Sequence, residues 1–335
     1  MKRRTFIAYS ALAMTLAGTQ RAWADTVKLV FPTLHPEASP NTAYFQEWAA
    51  KVIAASNGAV EIDLPVGPTI ANFGNILERL QADVVQFGWI QPSVVAGRFP
   101  QASVITLPGV RGALDGGKAS VAAWELFESG LLDKEMTGLK LLEFGVHPEA
   151  AIHLAKVQDR KSFADLRGLK IGVQGGVQVQ VLQNLGATPI SLAPPEWYEA
   201  LQRGTVDGIV TSWAAFPSLK LDEVTKQHIE GPLGNSNHLI AMDQAKWDML
   251  SPEAQAAINS NSGAVFSESF GTHQHRQAAI GRDAAIAKGH DVRSVTDEER
   301  AAWMVAIEPI IGEWVKNTEN GTALLETYRA RVAAQ

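Results

Sequence analysis

The chain has 335 residues, of which 46% are hydrophobic and 19% are charged, and its formal net charge at pH 7 is −6. An acidic chain without a dense basic run is a poor partner for nucleic acid, because neutralisation of phosphates supplies most of that affinity. The absence of cysteine excludes a disulfide framework and thiol chemistry. A chain of this length and apolar content can build a large core divided between two lobes.

The first 24 residues have the pattern of an export signal. A basic start (Lys2, Arg3, Arg4) precedes a mostly apolar run over residues 6–18, and small residues stand at a cleavage site before Asp25. The apolar run is too short for a membrane-spanning helix, which needs about 20 residues. The two arginines fit both a twin-arginine signal and an ordinary secretory signal. We therefore expect a periplasmic protein whose net charge changes from −6 to −10 when four basic residues are removed.

The next part of the chain alternates between strand and helix patterns. Alternating apolar residues predict strands at 27–31, 60–64, 83–90 and 139–144. Apolar residues at helical spacing predict helices at 44–53, 73–80 and 119–132. This βαβαβ order predicts a parallel sheet with helices on its faces.

A second series of strands and helices begins near Ala151. Strands are predicted at 152–155, 169–173, 190–192 and 206–210. The helices between them, at 178–185 and 195–203, end at glycines. Two α/β units in succession predict two lobes with a cleft between them, where ligands commonly bind.

The C-terminal third is predicted to be nearly all helix. Ser251-Pro252 is a typical helix start, and no proline interrupts the pattern until well beyond Lys288. We expect one helix of roughly 35 residues, about 50 Å long, that runs along both lobes. Thr296 and Glu299 form a capping box that opens the next helix.

Signatures of catalysis and of metal binding are missing from the sequence. It contains no GxSxG motif, phosphate-binding loop or HExxH motif, and it offers no cysteine nucleophile. His273 and His275 are two residues apart on a predicted helix, so they face different sides and do not form a metal pair. We expect neither an enzyme nor a bound cofactor or metal.

The most informative motifs lie between Asp165 and Ser212. They read Asp165-Leu-Arg-Gly-Leu-Lys-Ile-Gly-Val173, then Gly186-Ala-Thr-Pro-Ile190, then Glu196-Trp-Tyr-Glu-Ala-Leu-Gln-Arg-Gly-Thr-Val-Asp-Gly208. These motifs resemble the solute-binding subunits of TRAP transporters, the DctP-type periplasmic proteins. The resemblance extends over essentially the whole mature chain and includes the signal and the long helix. It implies an α/β, two-lobed periplasmic binding protein fold with a long helix spanning both lobes.

The resemblance also implies a domain division and a function. Lobe I would contain residues 25–147 and 236–275, and lobe II residues 148–235 and 276–335. A monomer would capture a small organic solute by hinge closure and deliver it to a permease with a large and a small membrane subunit. Two alternatives remain open: a ligand-loaded sensor that docks on a membrane receptor, and an exported enzyme that uses the cleft.

One position departs from the family pattern. The strand equivalent to 169–173 usually ends in Lys-Ile-Arg-Val in this family, and its arginine clamps the carboxylate of an organic acid. Gly172 stands at that position here, and Ala151 falls where many members place a second basic residue. The only first-lobe arginines near candidate cleft loops are Arg98 and Arg111. The usual carboxylate anchor is therefore predicted to be lost.

The resemblance implies a ligand site formed by residues at strand ends and in the loops that follow them. The candidates are His35, Asn72, Phe73, Asn75, Trp89, Gln91, His147, Gly172, Gln174, Thr211, Trp213, Phe216 and Asn237. The asparagines have a second interpretation as helix caps, the aromatic residues as core, and the histidines as structural hydrogen-bonding groups. Aromatic walls with a few polar groups predict an aromatic or weakly polar solute, or a quaternary amine held by cation–π contact.

Overall fold

The structure is a computed structural model that describes residues 26–95, 97–112, 114–158 and 166–335. The predicted export signal and Asp165, the first residue of the motif region, lie outside the described residues. The strands are β1 (Val27–Val30), β2 (Val60–Asp63), β3 (Gly88–Ile90), β4 (Leu139–Val146), β5 (Ala150–Leu154), β6 (Lys170–Val173), β7 (Thr188–Ser191), β8 (Gly208–Ser212), β9 (Gln227–Glu230), β10 (Asn237–Asp243) and β11 (Asp291–Ser294). The helices are α1 (Pro40–Ala55), α2 (Ile76–Gln81), α3 (Gly116–Glu128), α4 (Val177–Asn184), α5 (Trp197–Gln202), α6 (Phe216–Leu219), α7 (Gln244–Asp248), α8 (Pro252–Asn259), α9 (Ala264–Ala287), α10 (Asp297–Asn317) and α11 (Gly321–Ala334).

A first structural unit contains α1–α3 and two small sheets. Strands β1 and β2 pair in parallel, whereas β3, β10 and β4 form an antiparallel sheet with β10 in the middle. The predicted single parallel sheet is therefore wrong for this unit. Strand β10 comes from much later in the chain, and local periodicity does not reveal such a long-range pairing. The two sheets stay connected because the Phe87 N–H donates to the Val30 carbonyl at 3.0 Å.

A second structural unit contains α4–α6 and a six-stranded sheet of order β11-β9-β5-β8-β6-β7. Strand β6 is parallel to both β7 and β8, and β5 is antiparallel to β8 and β9. The chain passes between the units after β4, near residues 147–149, and returns after β9, near residues 231–236. The two crossings are hydrogen-bonded to each other, because the His147 N–H donates to the Ser236 carbonyl at 2.9 Å.

The predicted single long helix is divided in two. Helix α8 ends at Asn259 and α9 begins at Ala264, after Gly263 adopts φ +77°, a conformation that favours glycine. The 24 residues of α9 span about 36 Å. The helix packs against α3 and β4 in the first unit, and against α6 and the turn Trp213–Ala215 in the second. The prediction that a helix runs along both units is thus confirmed, with a shorter length.

The C-terminal helices join the units further. The predicted capping box is present at the start of α10, where the Thr296 hydroxyl accepts from the Glu299 N–H. Helix α10 contacts α4, and α11 packs against α3. The Trp314 indole donates to the Ser103 hydroxyl at 2.7 Å, so the end of α10 also reaches the first unit.

Candidate functional site

A narrow cavity lies where the two units face each other. It encloses about 50 Å³ and lies between two larger hollows of about 360 and 700 Å³, with which it shares lining residues. Its lining comes from β3, from the end of β8, from the loops after β1, β2, β3, β4, β6, β7, β8 and β9, and from α1, α5, α6 and α9. The lining residues are His35, Asn41, Phe73, Trp89, Gln91, His147, Gln174, Pro194, Trp197, Thr211, Ser212, Ala214, Ala215, Ser218, Leu219, Ser236 and Gln274.

Two hydrogen bonds close the cavity from opposite units. The Gln174 amide donates to the Gln91 amide oxygen at 2.7 Å, and the hydroxyls of Ser39 and Ser218 are 2.9 Å apart. Ligand sites generally have volumes of about 300–1,000 Å³. The small volume and the two hydrogen bonds across the cleft indicate that the cleft is closed. A solute that fits it is therefore compact or extends into a neighbouring hollow.

Many of the residues predicted from the sequence meet in this place. The structure brings His35, Phe73, Trp89, Gln91, His147, Gln174 and Thr211 to the cavity wall. Asn237 lines the adjoining hollow of about 360 Å³ rather than the cavity itself. These residues lie in the last part of a strand or in a loop next to one, which is why strand-end position selected them.

Asn72 and Asn75 do not line the cavity, because their side chains bind the backbone of their own turn. The Asn72 carboxamide oxygen accepts from the N–H groups of Gly74 and Asn75, at 2.9 and 3.1 Å. The Asn75 oxygen accepts from the Asn72 N–H at 2.7 Å. This arrangement matches the interpretation as a local capping turn.

Trp213, Phe216 and Gly172 also lie outside the cavity lining. The rings of Trp213 and Phe216 pack in a hydrophobic cluster beneath α9, with their centroids 4.5 Å apart, and the Trp213 indole donates to Glu230 at 2.9 Å. A Cβ atom at Gly172 would lie 3.0 Å from Ile209 and 3.2 Å from a methyl group of Leu192. A side chain at position 172 would therefore start among packed aliphatic groups.

Several wall residues were not predicted from the sequence, and Trp197 and Gln274 are the most informative of them. Trp197 begins α5 and is 2% exposed. Gln274 is 1% exposed and follows Phe266 and Phe270 on the buried stripe of α9. A polar residue on an apolar helical stripe was the signal that could have identified Gln274.

Among the residues that the structure describes, neither lysine nor arginine lines the cavity. Arg98 donates to the carbonyls of Glu135 and Thr137, and it does not reach the cavity. Arg111 donates to the Leu114 carbonyl and lies 3.7 Å from the Glu149 carboxylate. The two arginines considered as replacements for a missing anchor are thus used elsewhere.

Within the described part of the chain, several residues that line the cavity have a buried side-chain nitrogen without a hydrogen-bond partner. These nitrogens are Nε1 of Trp89, Nε1 of Trp197, Nε2 of Gln274 and Nε2 of His35. An indole or amide N–H can only donate, and an unpaired buried donor costs about 1–3 kcal/mol. The wall is therefore chemically suited to a ligand that brings acceptor oxygens.

The histidines of the wall are held in the neutral form. Burial, together with repulsion from His147 and His238, lowers the pKa of His35 to about 3. Burial also lowers the pKa of His147 well below its ordinary value, and nearby His238 lowers it further. At neutral pH the described residues of the cavity wall consequently carry no formal charge.

The family description "Bacterial extracellular solute-binding protein, family 7" (DctP) matches residues 31–317. The chain belongs to this family. The ectoine/5-hydroxyectoine-binding periplasmic protein UehA of Ruegeria pomeroyi is 25% identical to it over 340 residues, covering 98% of this chain and 97% of that protein.

Two crystal structures are similar to this chain over nearly their full length. One is a marine metagenome TRAP solute-binding protein from an unidentified microbe, specific for aromatic acid ligands and in complex with 3-hydroxybenzoate. It has a TM-score of 0.86 at 27% identity, covering 92% of this chain and 98% of that one. The other is a TRAP solute-binding protein from Rhodoferax ferrireducens with copurified benzoate. It has the same TM-score and coverage at 28% identity.

The family 7 protein described here is a TRAP-type solute-binding protein with the two-lobed periplasmic binding fold, and it is not an enzyme. It binds a small organic solute. The predictions of family, fold and function are confirmed, and the sensor and exported-enzyme alternatives gain no support. Within the described residues, no group of acidic or histidine side chains is suited to a metal ion, and no helix is long and apolar enough to cross a membrane.

Proposed function

We propose that this protein captures a small aromatic carboxylate of the benzoate or hydroxybenzoate class in the central cavity. The observation that carries the proposal is the set of unpaired N–H donors of Trp89, Trp197 and Gln274 in a wall whose other described residues include aromatic rings and neutral polar groups. Aromatic walls hold a ring, and the donors hold acceptor oxygens. The two similar solved structures with benzoate and 3-hydroxybenzoate support the same class of solute.

The aromatic part of the wall is continuous. The ring of Trp89 lies 4.5 Å from His35 and 6.3 Å from Phe73, measured between ring centroids. Trp197 adds a further aromatic surface from the second unit. A flat solute placed among these rings removes apolar area from water, which contributes about 25 cal/mol per Å².

A carboxylate in this cavity would be bound without an arginine clamp. Charge-assisted hydrogen bonds from indole and amide donors are roughly twice as strong as neutral ones. They replace part of the hydration that the carboxylate loses on burial. The absence of two cationic anchors disfavours small dicarboxylates, which would bring a second charge without a counter-charge.

Capture would proceed by closure of the two lobes on the solute. A solute that contacts both units favours the closed state over the open one. The lobe boundaries at 25–147 with 236–275, and 148–235 with 276–335, remain a proposal. The pairing of β10 with β3 and β4, and of β11 with β9, supports this division. The packing of α11 on α3 instead favours assigning the last helix to the first lobe.

We further propose that a monomer works in the periplasm after removal of the segment 1–24, and that it delivers its solute to the membrane subunits of a TRAP permease. The family description and the signal-like sequence support this location.

The test is identification of the solute by mass spectrometry after denaturation of the purified protein, followed by calorimetry. The calorimetric panel contains benzoate, 3-hydroxybenzoate, cyclohexanecarboxylate, succinate and ectoine. We expect an aromatic acid among the released compounds and the tightest binding for the two benzoates. Tighter binding of succinate or ectoine than of either benzoate would refute the proposal.

A further inference from the structure

One face of β4 and the residue after it connect the cavity to a buried carboxyl group. Because side chains alternate along a strand, Glu143, Gly145 and His147 lie on the same face. Strand β10 pairs His238 with Gly145. A Cβ atom at position 145 would lie 2.0 Å from the His238 ring, so the glycine provides the space that the imidazole occupies.

The three side chains form a chain of titratable groups. Nε2 of His147 and Nδ1 of His238 are 3.0 Å apart. Nε2 of His238 is 3.2 Å from Oε1 of Glu143, although their alignment is short of a hydrogen bond in this conformation. His147 lines the cavity and Glu143 is fully buried. We call this chain, His147–His238–Glu143, the relay.

We propose that the relay is a proton-binding site coupled to the solute: each aromatic carboxylate enters together with one proton from solvent, which His147 holds against the carboxylate. This inference rests on the proposed function, since a neutral solute would need no counter-charge. It explains how an anion is accommodated in a cavity whose described lining contains no lysine or arginine. A buried carboxylate without a counter-charge costs several kcal/mol.

The proton balance is complete within the relay. In the empty protein the Glu143 hydroxyl faces Nε2 of His238, and Nδ1–H of His238 donates to Nε2 of His147. After uptake His147 is an imidazolium that donates through Nε2 to Nδ1 of His238. His238 then carries its proton on Nε2, facing the carbonyl oxygen of the still protonated Glu143. Only one proton is added, and Nδ1–H of His147 remains available to the carboxylate.

His147 is the place for this proton because it is the member of the relay that lines the cavity, where the solute carboxylate opposes the burial that lowers its pKa. Burial raises the pKa of Glu143 well above its usual range and lowers that of His238 to about 3. From α1, Tyr44 has a pKa raised to about 12, mainly by burial, and stays neutral. From α9, His273 has a pKa lowered to about 4, mainly by burial.

Three further groups of residues surround the relay and determine its electrostatic environment. His35 faces His147 and His238 from the loop after β1 and is neutral when the cavity is empty. Glu149, two residues after His147, has a pKa raised to about 7 by burial, and Arg111 lies 3.7 Å from it. The rings of Trp89 and Phe270 cover His238 at centroid distances of 5.1 and 4.8 Å and exclude water from the relay.

The deciding experiment is calorimetry of benzoate binding to the wild-type protein at pH 7.5, in two buffers with small and large ionisation enthalpies. Proton uptake makes the observed enthalpy depend on the buffer, and we expect a dependence close to one proton per benzoate. Benzamide, a neutral molecule of the same shape, is expected to bind with no buffer dependence. The dissociation constant of benzoate should rise by up to about tenfold per pH unit above neutrality.

His147→Gln should abolish the buffer dependence and weaken benzoate more than benzamide. His275→Gln, the same substitution at an exposed histidine, is the control and should change neither. A buffer-independent enthalpy for wild-type benzoate binding would overturn the proton site and leave the proposed function standing. If neither benzoate nor 3-hydroxybenzoate binds, the proposed function fails, and the proton site fails with it.

Discussion

The Gln174 side-chain amide donates to the Gln91 amide oxygen across 2.7 Å, although the two residues follow strands of different sheets. Their loops also approach each other at the following residues, because a Cβ atom at Gly175 would lie 2.7 Å from the Ser93 carbonyl oxygen. Closure of the cleft therefore depends on backbone that approaches without a side chain between the loops.

Gly175→Ala should weaken solute binding by about tenfold or more, because the added methyl group obstructs the closed state. Gly175 has φ +140°, so the variant will also lose stability through backbone strain. Gly204→Ala is the matched control: its φ is +68° and a Cβ there meets nothing within 4 Å. Calorimetry should show weak binding only for the first variant. Equal affinities would mean that the loops do not limit closure.

Trp89→Phe removes the unpaired indole N–H and keeps an aromatic ring in the wall. If that N–H binds a carboxylate oxygen, benzoate affinity should fall by about 10- to 100-fold, which corresponds to a hydrogen bond to a charged group. Trp247→Phe, in the same hydrophobic cluster as Trp89 but outside the cavity lining, should leave the affinity unchanged. Similar affinities of both variants in calorimetric titrations would exclude Trp89 as a donor to the solute.

Gln274→Glu places a carboxylate of nearly the same shape against the proposed solute carboxylate. We expect benzoate affinity to fall by about 100-fold or more, because two like charges would be buried together, while benzamide should lose much less. Gln277→Glu, one turn further along α9 and outside the cavity lining, is the control. An equal loss for benzoate and benzamide would indicate disrupted packing rather than charge repulsion.

The site residues that were predicted from the sequence lie near the ends of strands. Those that were missed are brought to the site by contacts between distant parts of the chain. Trp89 lies in β3, Gln91 directly follows it and Gln174 directly follows β6, and the ends of such strands could be located from alternation alone. His238 could not be found in this way, because it reaches the site through β10, whose neighbours β3 and β4 are distant in sequence. Long-range strand pairing of this kind leaves no local periodicity to detect.

Gly172 shows a different limit of sequence reasoning. Its alignment with a clamping arginine describes the family, but the direction of a side chain depends on the local packing. A Cβ atom there meets Ile209 and Leu192, so Gly172→Arg should lower the melting temperature and should not tighten benzoate binding. Thermal unfolding and calorimetry of the one variant test both expectations. A stable variant with tighter carboxylate binding would show that an arginine at this position can reach the cavity.

Three histidines of the second unit contact one another in a row, and we expect them to make the protein less stable in mild acid. Nδ1 of His153 lies 2.8 Å from Nδ1 of His228, and Nε2 of His228 lies 3.0 Å from Nδ1 of His290. Burial, together with repulsion from its histidine neighbours, lowers the pKa of His228 from 6.5 to about 2. The centroid of the Trp213 ring is 4.4 Å from that of His228, which leaves no space for water around a charged imidazole.

Below pH 6.5 the unfolded chain binds a proton at His228 that the folded protein does not bind. The free energy of unfolding should therefore fall with decreasing pH, by about 1.4 kcal/mol per pH unit for this one group, until its folded pKa is approached. His228→Gln removes that contribution, so urea unfolding between pH 6.5 and 4.5 should show a shallower slope than in the wild type. His275→Gln, at an exposed position, should keep the wild-type slope. Parallel slopes for the wild type and His228→Gln would mean that His228 accepts a proton in the folded protein.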